Sequence, residues 1–177
     1  MKPRPLDMAL LEKAQAEYDL GPVPVTREAV TEQLLKQPWV GETEAIVIIG
    51  SLAYGNFGPR SDIDVVIVVQ EKPPERDEAF WYHRVNAALG RFHRDTTVLV
   101  YTLQGLKYVP SWYTIVLASD HIMVYDKGKV APLFEKIIAA AKRADLVRKV
   151  YDGRPVWQLG RPARWGEIIR VEVTDDD

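Results

Sequence analysis

The sequence predicts an α/β protein whose central sheet is parallel or mixed. Through the middle of the chain, β-branched runs of strand length alternate with segments of helical periodicity. Two of these runs, residues 45–49 and 63–69, are apolar at nearly every position. Strands of that kind are typical of sheets covered on both faces. We therefore expect a sheet flanked by helices.

Length and composition favour a single domain. The chain has 177 residues, 47% of them hydrophobic and 27% charged, which is ordinary for a globular protein. No apolar run approaches the roughly 18 residues that cross a bilayer, and the N-terminus lacks a signal-peptide core, so we expect a cytoplasmic protein with no membrane contact. The absence of cysteine excludes disulfides and thiol catalysis. A net charge of -2 argues against a protein that coats nucleic acid.

A helical layer is predicted over residues 1–40. Asp7 is expected to cap a helix over residues 7–18. Thr26 is expected to cap a second helix that stops before Pro38. We interpret this layer as packing without chemistry.

The catalytic core is predicted over residues 45–126, with helices between its strands. The predicted strands are residues 45–49, 63–69, 95–102 and 121–125. A helix over residues 75–91 follows the second strand, and its apolar positions are spaced four, three and four apart: Trp81, Val85, Ala88 and Phe92. Pro110 divides residues 103–117 into a short helix or turn and a second helix from Ser111.

The last part of the domain, residues 130–177, is predicted as one helix and a tail. The helix runs from Pro132 to about Tyr151 on a single apolar stripe: Leu133, Ile137, Ala141, Ala144 and Val147. A strand-like run covers residues 168–173. Two tryptophans of the tail, Trp157 and Trp165, are expected to pack against the core. The tail is rich in Lys and Arg, which we interpret as a solvated face, with a surface facing a polyphosphate as the alternative.

One stretch, residues 50–69, brings together residue types suited to metal and phosphate. Gly50-Ser51 breaks the first strand, a turn-rich segment follows, and Asp62 and Asp64 open the second strand. Alternate strand residues point the same way, so both carboxylates share a face. Carboxylate oxygens suit Mg²⁺, and such sites usually need a third carboxylate, for which Asp95 at the start of the third strand is the candidate.

Each of these features also has a plain structural interpretation. Asp-x-Asp alone can be a solvated strand start, Asp95 a turn residue, and Gly50-Ser51 a helix cap. Their joint occurrence, with ten residues between Gly-Ser and Asp-x-Asp, favours a site. The three histidines have no metal-ligand spacing. Three nearby arginines are open between triphosphate contact and a surface role: Arg60, Arg91 and Arg94.

Gly50-Ser51, ten residues and then Asp62-Ile63-Asp64 resemble the signature of the polymerase-β-type nucleotidyltransferase superfamily. The wording GSLAYG followed by SDIDVVIV is most similar to its minimal nucleotidyltransferase branch. The resemblance covers residues 45–101 and implies a mixed central sheet flanked by helices. It does not reach the first 40 or last 25 residues.

The resemblance also implies roles and a reaction. Gly50 and Ser51 would contact the β- and γ-phosphates of a nucleoside triphosphate, Asp62 and Asp64 would bind two Mg²⁺ ions, and Asp95 would complete the triad. The reaction would move a nucleoside monophosphate, AMP from ATP, to an acceptor hydroxyl and release pyrophosphate. Small members of the branch are commonly antitoxins that adenylylate a HEPN-type toxin. The alternatives are an antibiotic-type small-molecule acceptor and a non-catalytic nucleotide-binding protein, with nucleic acid the least expected partner.

Overall fold

The computed structural model describes residues 23–174 and is built on a four-stranded mixed sheet. The strands are β1 (Ala45–Ile49), β2 (Ile63–Val69), β3 (Thr96–Thr102) and β4 (Ile122–Asp126), in the spatial order β3-β2-β1-β4. Strand β1 runs antiparallel to both neighbours, β2 and β4, while β2 and β3 are parallel. The predicted sheet is confirmed, and it is mixed.

The two central strands are buried on both faces. All five residues of β1 are buried, and six of the seven in β2. Successive side chains of a strand point to opposite faces, so Ile46 and Ile48 enter one apolar core while Val47 and Ile49 enter another. Burial on both sides explains why neither strand shows polar alternation.

Six α-helices accompany the sheet in the described part of the chain. They are α1 (Arg27–Leu35), α2 (Gly50–Tyr54), α3 (Glu78–Leu89), α4 (Leu103–Lys107), α5 (Trp112–Ser119) and α6 (Val130–Arg143). Helices α1 and α3 cover one face, and α5 and α6 cover the other. None of the helices within residues 23–174 combines the length and the apolar character needed to span a membrane.

The face under α1 and α3 agrees with the sequence-based expectation. Thr26 caps α1 by accepting a hydrogen bond from the Ala29 amide at 3.1 Å. The predicted inner stripe of α3 and its C-terminal extension is buried throughout: Trp81, Val85, Ala88 and Phe92. Trp39 packs edge-on against Trp81, with ring centroids 6.0 Å apart. The helix predicted over residues 7–18 lies outside the described residues.

The predicted helix from Pro132 to Tyr151 is wrong in its second half. Helix α6 ends at Arg143, and Asp145 adopts a left-handed φ of 59° that turns the chain. The chain continues as β5 (Leu146–Tyr151), which pairs antiparallel with β6 (Arg154–Leu159). Ala144 and Val147 continued the apolar stripe at helical spacing, and that spacing concealed the change of structure.

A two-residue turn closes this hairpin. Asp152 and Gly153 both have positive φ, 48° and 74°, as the turns favoured between paired strands require. The strand expected over residues 168–173 is also wrong, because this segment forms no ladder. Its alternate apolar side chains nevertheless pack against the α5–α6 core: Ile169, Val171 and Val173.

Strand direction gathers four chain segments at one edge of the sheet. Since β1 is antiparallel to β2 and β4, the end of β1 meets the starts of both. Since β3 is parallel to β2, its start lies at the same edge. Helix α2 leaves β1 there, so the stretch containing Gly50 and Ser51 lies at the edge where β2, β3 and β4 begin.

Candidate active site

Gly50 is in direct apposition to Asp64. Ile49 is the register partner of Asp64, and Gly50 follows it with a φ of 68°. A Cβ built on Gly50 would overlap the Asp64 carboxylate and lie 3.1 Å from its Cγ. Both the left-handed backbone and the missing side chain therefore require glycine here.

Asp62 and Asp64 place two negative charges close together. Asp64 is partly buried and Asp62 is exposed. Burial is the main cause that raises the pKa of Asp64; the charge of Asp62 raises it further, and a hydrogen bond with the Thr97 side chain partly offsets both. A partly buried carboxylate with a second carboxylate close by is an oxygen-donor set that a divalent cation satisfies.

Asp95 lies beside Asp62 and not beside Asp64. Its carbonyl oxygen accepts a hydrogen bond from the Ile63 amide at 2.9 Å, just before the β2–β3 ladder begins. In that ladder, the partner of Asp64 is Thr97. Within residues 23–174, no three His, Cys, Asp or Glu side chains come together as a metal-binding group. The structure thus places Thr97 opposite Asp64. It places Asp95 beside Asp62, the residue directly before β2.

Asp62 and Asp95 line one small cavity. Its volume is about 250 Å³, and its wall also contains Arg60, His93 and Arg94. Arg91, the third arginine near the motif, is not part of this wall; it contacts the Gln33 side chain at 3.4 Å. The structure therefore places Arg60 and Arg94 at the cavity and Arg91 away from it, a difference that the sequence did not show.

The loop between α2 and β2 is held by its own hydrogen bonds. The Ser61 hydroxyl accepts from the Gly58 amide at 2.9 Å, and the Ser61 amide donates to the Gly58 carbonyl at 3.1 Å. Arg27 secures the other side by donating to the last carbonyls of α2, those of Leu52 and Ala53, at 2.9 and 2.8 Å. These contacts fix where Asp62 enters β2. The role of Arg27 had no sequence signal, since 25 residues separate it from Leu52.

A second polar group near the site was also missed from the sequence. Trp157 donates to the Ser119 hydroxyl at 2.9 Å, Ser119 donates to Asp120 at 2.5 Å, and Arg148 forms an ion pair with Asp120. Burial raises the pKa of Tyr54, and the charges of Asp120 and Asp64 raise it further while Arg148 opposes them. Tyr54 thus lies between the two acidic groups.

The two tryptophans of the tail behave differently. Trp157 is buried, as expected, and its ring N–H is satisfied by Ser119. Trp165 is fully exposed, so the expectation that it packs against the core is wrong. Of the histidines, His83 and His93 are exposed, whereas His121 packs its ring against Phe134 at 4.9 Å.

The fold and this edge of the sheet define the class of protein. In this mixed sheet, the Gly-Ser turn lies beside the Asp-x-Asp at the start of the neighbouring antiparallel strand, as the resemblance to nucleotidyltransferases implied. Residues 29–109 match the family model described as "Nucleotidyltransferase domain". The nucleotidyltransferase domain predicted from the sequence is therefore confirmed over residues 29–109.

Similar solved structures are remote. A toxin–antitoxin crystal structure with AMP-PNP has a TM-score of 0.46 at 15% identity, over 64% of this chain and 87% of that one. The toxin–antitoxin MntA-HepT has a TM-score of 0.43 at 13% identity, over 66% and 88%. A structure of tri-AMPylated Shewanella oneidensis HEPN toxin in complex with MNT antitoxin has 0.38 at 13%, over 60% and 78%. No curated protein sequence matches the chain.

Proposed function

We propose that the protein transfers AMP from ATP to an acceptor hydroxyl in a Mg²⁺-dependent reaction. The observation that carries this proposal is the apposition of Gly50 and Asp64, because a Cβ at Gly50 would occupy the place of the carboxylate. The missing side chain lets the Asp64 carboxylate lie directly against the backbone at the start of α2, which brings a cation-binding oxygen next to the turn proposed to bind phosphate.

The residues present fit Mg²⁺. Asp62 and Asp64 offer hard oxygen donors on one strand face, and the raised pKa of Asp64 reflects burial and repulsion that a cation relieves. These two carboxylates would hold the metal, and Asp95 is the proposed third ligand, reached from the Asp62 side. When bound, the ions neutralise charge on the attacking and leaving oxygens.

Three residues then have proposed roles in binding and transfer: Gly50, Ser51 and Asp95. Gly50 and Ser51 begin α2 without a side-chain cap, which leaves N–H groups to bind the β- and γ-phosphates. The acceptor oxygen forms a bond to the α-phosphorus, the bond from that phosphorus to the bridging oxygen breaks, and pyrophosphate leaves. Asp95 would take the proton of the hydroxyl. Positioning and charge neutralisation supply the catalysis.

Two classes of acceptor follow from different grounds. The family resemblance proposes a HEPN-type toxin, which this protein would adenylylate as an antitoxin. A specific observation favours the second class, a small molecule: a cavity of about 250 Å³ opens beside Asp62 and Asp95. Transfer to RNA is not proposed.

The first experiment measures Mg²⁺-dependent thermal stabilisation by ATP and by other nucleoside triphosphates. Binding at 100 times the dissociation constant stabilises by about 2.7 kcal/mol. For a chain of this length that is a rise of roughly 5–10 °C in Tm. Absence of any shift in the wild type, or an equal shift in Asp62→Asn/Asp64→Asn, would refute the proposed site.

The second experiment measures transfer itself. Incubation with α-labelled ATP, Mg²⁺ and a host lysate should label an acceptor. Asp64→Asn removes a metal ligand without removing core volume, so transfer should fall by about 100-fold or more while the fold remains. Asp152→Asn is the matched control, since it makes the same chemical change at an exposed hairpin turn. ATP binding without any labelled product would favour the non-catalytic alternative.

A further inference from the structure

The cavity beside Asp62 and Asp95 contains charges that the described chain does not neutralise. Arg60 and Arg94 share its wall with both aspartates. Neither arginine forms an ion pair with a carboxylate of residues 23–174. Unpaired charges of both signs in the wall of one cavity are suited to a ligand that satisfies both signs.

The guanidinium of Arg94 is held in one orientation by two contacts. One of its terminal N–H groups donates to the Pro59 carbonyl, and its guanidinium carbon lies 5.9 Å from the centroid of the Phe57 ring. Its Nε is buried and has no hydrogen-bond partner in the described chain. A guanidinium held in one orientation is suited to phosphate or carboxylate. Arg60 is exposed, with its charge free to approach the same anion.

The position of the cavity indicates which substrate brings the anion. Gly50 and Ser51 flank the Asp-x-Asp strand from the β1 side, whereas Arg94 and Asp95 lead into β3 on its other side. In phosphoryl transfer, the attacking and leaving oxygens lie roughly in line on opposite sides of the phosphorus. If pyrophosphate leaves toward Gly50 and Ser51, the acceptor arrives from the cavity.

We propose that the acceptor is a small anionic molecule, whose hydroxyl lies beside Asp62 and Asp95 and whose phosphate or carboxylate is bound by Arg60 and Arg94. This inference rests on the proposed function and adds the chemical class of the acceptor. Arg60 and Arg94 are then specificity-determining residues for the acceptor and leave the nucleotide to the Gly50 side.

The test titrates inorganic phosphate onto protein already saturated with Mg²⁺ and AMP-PNP. Phosphate should raise the Tm of the wild type further, and Arg60→Gln and Arg94→Gln should abolish that rise. Arg60→Gln is the safer variant, because Arg60 makes no side-chain hydrogen bond or ion pair within residues 23–174. Arg91→Gln is the matched control, three residues from Arg94 but outside the cavity, and should respond as the wild type does.

Three results would overturn the inference. Binding of phosphate only in the absence of AMP-PNP would assign the arginines to the triphosphate of the nucleotide. No phosphate-dependent rise in the Tm of the wild type would exclude the anion site. An equal rise in Arg60→Gln and Arg94→Gln would exclude these arginines as its ligands.

A labelling arm decides the class of acceptor. With α-labelled ATP and lysate, label should enter an anionic product in the low-molecular-weight filtrate, and Arg60→Gln should raise KM for that filtrate while KM for ATP is unchanged. Label confined to protein or RNA would refute a small-molecule acceptor. If no fraction is labelled, the proposed transfer fails, and the phosphate titration still decides whether the anion site exists.

Discussion

Gly50→Ala should destabilise the protein by straining the backbone at residue 50 and by overlapping the Asp64 side chain. The substitution adds a methyl group at a residue whose φ is 68°, and that group would overlap the Asp64 carboxylate. Two costs follow. An L-residue in the left-handed region costs about 1–2 kcal/mol, and forcing an extra methyl group into filled space costs about 1–3 kcal/mol.

The sum, roughly 3 kcal/mol, corresponds to a fall in Tm of about 6–12 °C for a chain of this length. Thermal unfolding followed by circular dichroism measures it. Gly90→Ala is the control, because Gly90 has a φ of -54° and a Cβ there would meet no atom within 4 Å. That variant should unfold within about 1 kcal/mol of the wild type.

A double-mutant cycle separates the two costs. In an Asp64→Ala background the carboxylate is gone, so Gly50→Ala should retain only the backbone cost of about 1–2 kcal/mol. An undiminished cost in that background would refute the contact with Asp64 as the cause. A Gly50→Ala protein as stable as the wild type would refute the whole argument.

Two further predictions concern charges outside the β1–β2 contact. Burial raises the pKa of Asp126, but backbone amides at the start of α6 outweigh it and lower the pKa. The ionised Asp126 carboxylate therefore stabilises the fold above the ordinary Asp pKa of about 3.9. This contribution is lost as the pH falls through the lowered pKa of Asp126 in the folded protein. Asp126→Asn should lose about 1 kcal/mol at neutral pH and show a shallower fall of Tm below about pH 4 than the wild type. A parallel pH dependence would contradict this. Arg148→Ala leaves the Asp120 carboxylate, 9% exposed, without its cation, and should cost about 2 kcal/mol by urea denaturation. Adding Asp120→Asn should recover part of the loss, and an unchanged midpoint in the single variant would refute the role of the pair.

The strands of the core were predictable because their burial leaves a local pattern. Runs of β-branched residues with breaks at Gly50 and after Val69 identify β1 and β2 within a residue of their observed bounds. The stripe of α3 was equally local, since Trp81, Val85 and Ala88 follow one helical period. The β5–β6 hairpin was not predicted, because Ala144 and Val147 continue the helical spacing although the helix ends at Arg143. The left-handed φ of Asp145 turns the chain there.

Residue identity and spacing were enough to suggest a nucleotidyltransferase, because Gly-Ser, ten residues and Asp-x-Asp resemble the signature of that family. They could not show which carboxylates meet. The parallel register of β2 and β3 decides that Thr97 stands beside Asp64 while Asp95 stands beside Asp62. The same register decides that Arg94, and not Arg91, lines the cavity. Pairing between strands depends on contacts across long stretches of chain, and no local pattern of residues contains that information.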